Sequence, residues 1–254
     1  DERLNRAPAR NAAYVGESAF AHKGGLHASA VEKDPATYEH IAPDLVGNRR
    51  HIVVSDQAGR SNVLARFRDI GLKVNAKDPK VAKLVDEVKS REHDGYAYDG
   101  AEASFELLAR RALDGLPEFF RTDSFRVEVE RRYNARGALT TVSQAVIKVR
   151  VGNRAFMEVA EGTGPVDALN AALRKALLGA YPQLDGMHLV DFKVRILTPQ
   201  AGTAAVTRVM IESADGAGER WSTVGISPNI IDASFEALRD SIVYKLYRDG
   251  AHAP

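Results

Sequence analysis

The chain of 254 residues contains no cysteine, which excludes disulfides, thiol nucleophiles and cysteine-ligated metal sites and is compatible with a cytoplasmic protein. It also lacks a charge imbalance. Lysine and arginine total 35 against 34 aspartate and glutamate, a formal net charge of +1, and no long basic run offers a local footprint for nucleic acid. Apolar runs are short: none approaches the ~20 residues that span a bilayer, and the charged opening DERLNRAPAR is unlike a signal peptide. Neither nucleic acid nor a membrane is therefore an expected partner. What is present, 44% hydrophobic and 27% charged residues, is the composition of an ordinary globular protein. At ~100–200 residues per domain, the length suggests two units rather than one.

Glycine and histidine concentrate in one early stretch, Tyr14 to His40, which reads YVGESAFAHKGGLHASAVEKDPATYEH. Gly24 and Gly25 widen the backbone's choices just before His27, a helical piece is expected from about Leu26 to Val31, and Asp34-Pro35 fixes a turn ahead of Tyr38. An imidazole and a phenol can each do general acid or base work. A histidine in a loop can equally be a surface or hydrogen-bonding residue. His22, in the same stretch, has no assignable role. His22, His27 and His40 together raise the question of zinc, but no carboxylate or cysteine pattern completes a known ligand spacing, so no metal site is assigned. A short turn closed by Gly47 follows, then the strand-like run HIVV, residues 51–54. SDQAGRSN, residues 55–62, leads into a helix whose Val63, Leu64, Phe67 and Ile70 share a face, with Gly71 at its end. A glycine-rich loop before a helix can cradle an anion. This one lacks the Gly-Lys-Ser/Thr of a P-loop, and Ser61 or Asn62 is expected to cap the helix instead.

Residues 77–116 read as a helical pair. Asp78 and Pro79 supply a cap and a first-turn proline, Val81, Leu84, Val85 and Val88 line one side, and REHDGYAYDG breaks the helix. A second helix from near Ala101 carries Phe105, Leu108, Ala109 and Leu113 and ends by Gly115 and Pro117. Strand patterns then dominate: Phe125, Val127 and Val129 alternate with polar residues, as do Ala145, Ile147, Val149 and Val151, and AFMEV makes a third run before a helix bearing Val166, Leu169, Leu173, Ala176 and Leu177. About 63 residues later the order returns. Val190, Phe192, Val194 and Ile196 alternate, strands are expected over residues 205–213 and 221–226, and a last helix carries Ile231, Phe235, Leu238, Ile242 and Leu246. Each copy has a one-sided sheet and one amphipathic helix, which bury their faces only together. The expected fold class is α+β: small, mostly helical linker subdomains over residues 1–120, then a pseudo-symmetric domain of two βββα units over 121–254, with a surface suited to pairing as a homodimer.

Gly162-Thr163-Gly164-Pro165-Val166 and Gly225-Ile226-Ser227-Pro228 occupy matching places between a third strand and a helix. Helix N-termini present unpaired N–H groups and a partial positive charge, so both turns are candidate receptors for a carboxylate. Val166 and Ile226, with Ala204, Ala205 and Ile230, would supply an apolar wall; a carboxylate with a branched apolar side chain describes isoleucine or leucine. The alternative is that glycine and proline only shape the turns.

The run AFAHKGGLHASAVEKDPATYEHIAPDLVGNRR, followed by VSDQAGRSNV, resembles the linker region of the α-isopropylmalate, homocitrate and citramalate synthases, and WSTVGISPNIIDASFEALRDSIVYKLYRDG most resembles the citramalate branch. Those enzymes condense acetyl-CoA with a 2-oxo acid in an N-terminal metal-dependent (β/α)8 barrel. The resemblance implies that this chain is the C-terminal part of such an acyltransferase, making citramalate from acetyl-CoA and pyruvate, and is inactive alone. It implies that the divalent metal belongs to the barrel, with no cofactor in this part. It also implies that His27 and Tyr38 assist catalysis in the barrel of a partner subunit. The two turns would form the pocket of a feedback branched-chain amino acid, isoleucine, near the dimer interface. An isopropylmalate synthase part sensing leucine, or a stand-alone amino-acid-binding dimerisation module, are the alternatives.

Overall fold

The computed structural model describes residues 11–16, 18–23, 25–52, 60–72, 74, 78–113 and 115–254. Its contacts divide the chain into two units, Asp1–Asp99 and Gly100–Pro254. No helix among the described residues is long and apolar enough to cross a membrane.

The first unit is built from short elements: strand β1 (Ala21–His22), helix α1 (Gly25–Lys33), strand β2 (His51–Ile52), and helices α2 (Arg60–Asp69) and α3 (Pro79–His93). Asp78 accepts from the Lys80 N–H at 2.8 Å and so caps α3, whose Val81, Leu84, Val85 and Val88 are all buried. The periodicity named the same four residues. The α2 helix packs beside α1 and α3 and buries Ala65 and Phe67, and Gly71 follows it at φ +74°. Because α2 already includes Ser61 and Asn62, neither is its cap. Gly24, the second half of HIVV and most of SDQAGRSN, residues 53–59, lie outside the described residues.

The second unit begins with helix α4 (Glu102–Leu113) and continues through β3 (Arg121–Tyr133), β4 (Leu139–Val151), β5 (Arg154–Gly162), α5 (Pro165–Leu178), β6 (His188–Ile196), β7 (Thr207–Ala214), β8 (Arg220–Ser227) and α6 (Ile230–Arg248). Two antiparallel three-stranded sheets, ordered β3-β4-β5 and β6-β7-β8, are each followed by their helix, so the βββα repeat is present twice. The α5 helix covers β4 and β5, α6 covers β7 and β8, and the two helices touch. Ala145, Ile147, Val149 and Val151 of β4 share a core with Leu169, Leu173 and Leu177 of α5 and with Ile242 and Leu246 of α6, so the two halves bury apolar surface jointly.

The helix α4 belongs to this unit rather than to a helical pair with α3, and the division at Asp99 precedes the composition change near residue 120. Its Ala103 and Leu107 enter the shared core. The buried Ser104 hydroxyl accepts from the Val224 N–H at 3.1 Å and donates to Asp240 at 3.3 Å, while Arg111 donates to the same carboxylate at 2.9 Å. Helical periodicity identifies an apolar face but not the surface that covers it.

A second difference concerns β6. Its alternating Val190, Phe192, Val194 and Ile196 read as core-facing, yet Val194 is 43% and Ile196 56% exposed. β6 is an edge strand, and α6 lies over β7 and β8; only Phe192 reaches the small cluster of Val209, Ile211, Ala233, Ala237 and Leu238.

Each repeat depends on one glycine. A Cβ on Gly162 would collide with the backbone of Asp167 and Ala168, and one on Gly225 with the Ala233 carbonyl oxygen, so strand and helix backbones meet where no side chain fits. Gly164 has open space around it and an extended φ of −155°. Gly162→Ala and Gly225→Ala should each lower stability by at least about 2 kcal/mol through overpacking, whereas Gly164→Ala should cost under about 1 kcal/mol. Urea unfolding midpoints of the three variants check the contrast.

Candidate functional site

His27 stands in the first turn of α1 with its ring exposed, while Ala28 and Val31 on the same helix are buried. After α1, Asp34 accepts from the Ala36 N–H at 3.0 Å and Pro35 opens a single 3-10 turn, Pro35–Thr37. The reversal lays Tyr38 over His27: their ring centroids are 3.8 Å apart with planes inclined by 32°. Tyr38 is 47% exposed, so an imidazole and a phenol meet at an open surface. The structure thus brings together the two residues that the sequence singled out.

Glu39, the next residue, turns inward, with its side chain 3% exposed. It accepts from Arg50 Nε at 2.8 Å and from a terminal nitrogen of the same guanidinium at 2.6 Å, and from His22 Nε2–H at 2.9 Å. The Arg50 guanidinium holds the Glu39 carboxyl below its ordinary value; burial opposes this and the His22 bond assists it. The carboxylate in turn raises Arg50. His22 ends β1 and Arg50 precedes β2, and these strands pair in parallel through Ala21↔His51 and His22↔Ile52. Three chain segments are therefore clasped by one buried carboxylate immediately beside Tyr38. Sequence reasoning left His22 without a role and passed over Glu39 and Arg50, because no spacing rule announces an ion pair made across 11 and 17 residues.

His40 Nε2 lies 3.3 Å from the Tyr14 hydroxyl. The three histidines thus engage three different partners, Glu39, Tyr38 and Tyr14, and do not form a ligand set. Among the described residues no cluster of three His, Asp or Glu side chains is placed to hold a metal.

The two strand-to-helix turns prove chemically different. In the first, the Thr163 N–H and hydroxyl both donate to Asp167, at 2.9 and 3.1 Å, and the capping position is Gly164, which brings no side-chain oxygen. Pro165 follows at the first helical position, and Val166 packs partly against the Val209–Ile211 cluster of the other half. In the second, the Ile226 N–H donates to Glu236 at 3.0 Å, Ser227 Oγ accepts from the Asn229 N–H at 3.0 Å, and Asn229 caps α6 by accepting from the Ile231 N–H at 2.9 Å. The helix consequently starts after Asn229, two residues later than Pro228 suggested. Gly162 and Gly225 are explained by backbone contact. Beside the second turn, a cavity of about 620 Å³ opens between β3 and α6; Asn229 lines it, and none of residues 225–228 does.

Replacing Glu39 by Gln should destabilise the first unit by about 1–3 kcal/mol at neutral pH, because Arg50 and His22 lose a buried acceptor charge. Since folding lowers the pKa of this carboxyl, its stabilisation is complete above the ordinary value of 4.5 and is lost as pH falls below it. Denaturant unfolding of the parent and Glu39→Gln chains should accordingly differ most near neutral pH and converge as pH falls below the ordinary carboxyl value of 4.5.

Two family models match the chain: the LeuA allosteric (dimerisation) domain over residues 99–246, and the homocitrate synthase post-HMGL domain-like family over residues 14–95. The (R)-citramalate synthase of Geobacter sulfurreducens is 49% identical over 247 residues, covering 97% of this chain and 46% of that protein. The (R)-citramalate synthase of Aquifex aeolicus is 48% identical over 248 residues, with coverage of 98% and 46%, and that of Streptomyces coelicolor is 44% identical over 250 residues, with the same coverage. The chain spans a little under half the length of these curated relatives. With the βββα repeat and α4 both inside the longer match, the chain belongs to the LeuA allosteric (dimerisation) domain family.

Proposed function

We propose that this chain is the C-terminal part of an (R)-citramalate synthase, an acyltransferase that condenses acetyl-CoA with pyruvate, and that it supplies both a catalytic accessory pair and the feedback sensor. The relatives named as (R)-citramalate synthases support this branch over an isopropylmalate synthase. The observation that carries the catalytic half is the exposed His27–Tyr38 stack at 3.8 Å. Proton donors on an open surface suit a role in a barrel contributed by another subunit, where they would polarise or protonate oxygen at the reacting carbon. The divalent metal of that barrel, which would polarise the 2-oxo acid, would be held by the barrel's own residues.

The regulatory half would dimerise through the exposed apolar face of β6, where Val190, Val194 and Ile196 await a second copy. It would bind a branched-chain amino acid, isoleucine, at the strand-to-helix turns Gly162–Val166 and Gly225–Pro228. Leucine and isoleucine differ by the position of one methyl group, a discrimination worth ~1–3 kcal/mol in an apolar pocket.

In the full-length enzyme, His27→Ala and Tyr38→Phe should each reduce kcat by about 10²-fold or more, read as CoA released from acetyl-CoA and pyruvate; unchanged turnover in both would remove the catalytic reading. This chain alone should release no CoA. Val194→Lys combined with Ile196→Lys should convert the dimer to a monomer in analytical ultracentrifugation, and a dimer that persists would place the interface elsewhere.

A further inference from the structure

The exposed rings of His27 and Tyr38 do not hold themselves in place. A single contact between two rings on an open surface is weak against the entropy of the chain that brings them together. The ordering comes from the residues on either side. His22 precedes His27 by five positions and Glu39 follows Tyr38 directly, so the 2.9 Å bond from His22 Nε2–H to the Glu39 carboxylate closes a loop that carries one member of the pair near each end. Inside that loop the Asp34 N–H and the Thr37 hydroxyl both donate to the Ala30 carbonyl, at 2.8 and 3.4 Å, and fold the turn back onto α1.

The carboxylate also sets the direction of the phenol. Tyr38 and His40 are exposed and Glu39 between them is buried, so the inward turn of the acid and the outward turn of its neighbours belong to one stretch of backbone. Arg50 fixes that stretch with its fork: Nε donates to one carboxylate oxygen at 2.8 Å and a terminal nitrogen to the other at 2.6 Å. Two such bonds hold the plane of the carboxylate as well as its place, which a single bond to a lysine would not. His22 adds a third bond, to the oxygen that also takes Nε.

We propose that Glu39, gripped by Arg50, is a positioning residue for the condensation, keeping Tyr38 over His27 in the register in which the pair meets the substrate. It acts through its chain neighbour and touches no reacting atom. This rests on the reading of His27 and Tyr38 as the catalytic accessory pair. A misplacement of about 1 Å can cost about 10²-fold in rate. Loss of groups needed only in the transition state lowers kcat without raising KM.

Steady-state kinetics of the full-length enzyme with acetyl-CoA and pyruvate test it, at a temperature below the unfolding transition of every variant. Glu39→Gln should lower kcat about 10²-fold, with KM for both substrates within about threefold of the parent. Arg50→Lys keeps the charge but not the fork; it should lower kcat about tenfold in the same way, and it decides the matter if Glu39→Gln fails to fold. The double variant should be no slower than the worse single, since both act through one clasp, whereas independent losses would add. In the NMR spectrum of this chain the His27 ring protons lie in the ring current of Tyr38, and their upfield shift should be lost in Glu39→Gln. A kcat within about twofold of the parent in both single variants, or a loss of turnover with the ring-current shift intact, overturns the positioning role; reduced turnover in His27→Ala and Tyr38→Phe would still uphold the catalytic reading. Unchanged turnover in those two removes the catalytic reading and the positioning role with it.

Discussion

Contact between strand and helix backbones at Gly162 and Gly225 is the constraint on which the second unit depends. At each position the place of a Cβ is already filled, by Asp167 and Ala168 in one half and by Ala233 in the other. The helix can therefore lie directly on the end of the third strand, and α5 and α6 then meet each other across a shared core. The same device occurs in both halves, which share the βββα order although their remaining residues differ. Packing at these two glycines and chemistry at the residues after them are separate matters, and the glycines alone say nothing about a ligand.

The first unit solves a different problem. Beside the buried Phe20, Ala28 and Val31 of its motif stretch, it orders the chain with a buried carboxylate. Glu39 is removed from water with two partners that satisfy it, which makes the arrangement rigid and costly to break by halves. Tyr38, its chain neighbour, inherits that rigidity and is held over His27 at an open surface. Order is supplied from within, and the reactive groups stay accessible.

Much of this was legible from the residues. The helices α1 and α3, the cap at Asp78, the three buried valines and one leucine of α3 and the double βββα repeat all follow from local rules, because caps and periodicity act over a few residues. His27 and Tyr38 were legible as a pair once the intervening turn was recognised. The allegiance of α4, the exposure of β6 and the Glu39 clasp were not, since each depends on which distant surface arrives to cover a residue. Alternation in β6 correctly marks an apolar face. It carries no information that α6 stops short of it.

The hydroxyl of Ser104 joins the free edge of β8 to the buried carboxylate on α6, and Arg111 holds that carboxylate from about two turns further along the same helix. The helix α4 is thereby bolted to α6 at two points, and its first residue follows the division at Asp99 by only a few peptide units. A tilt of α6 would therefore carry α4 with it, so within the second unit the two helices form one lever.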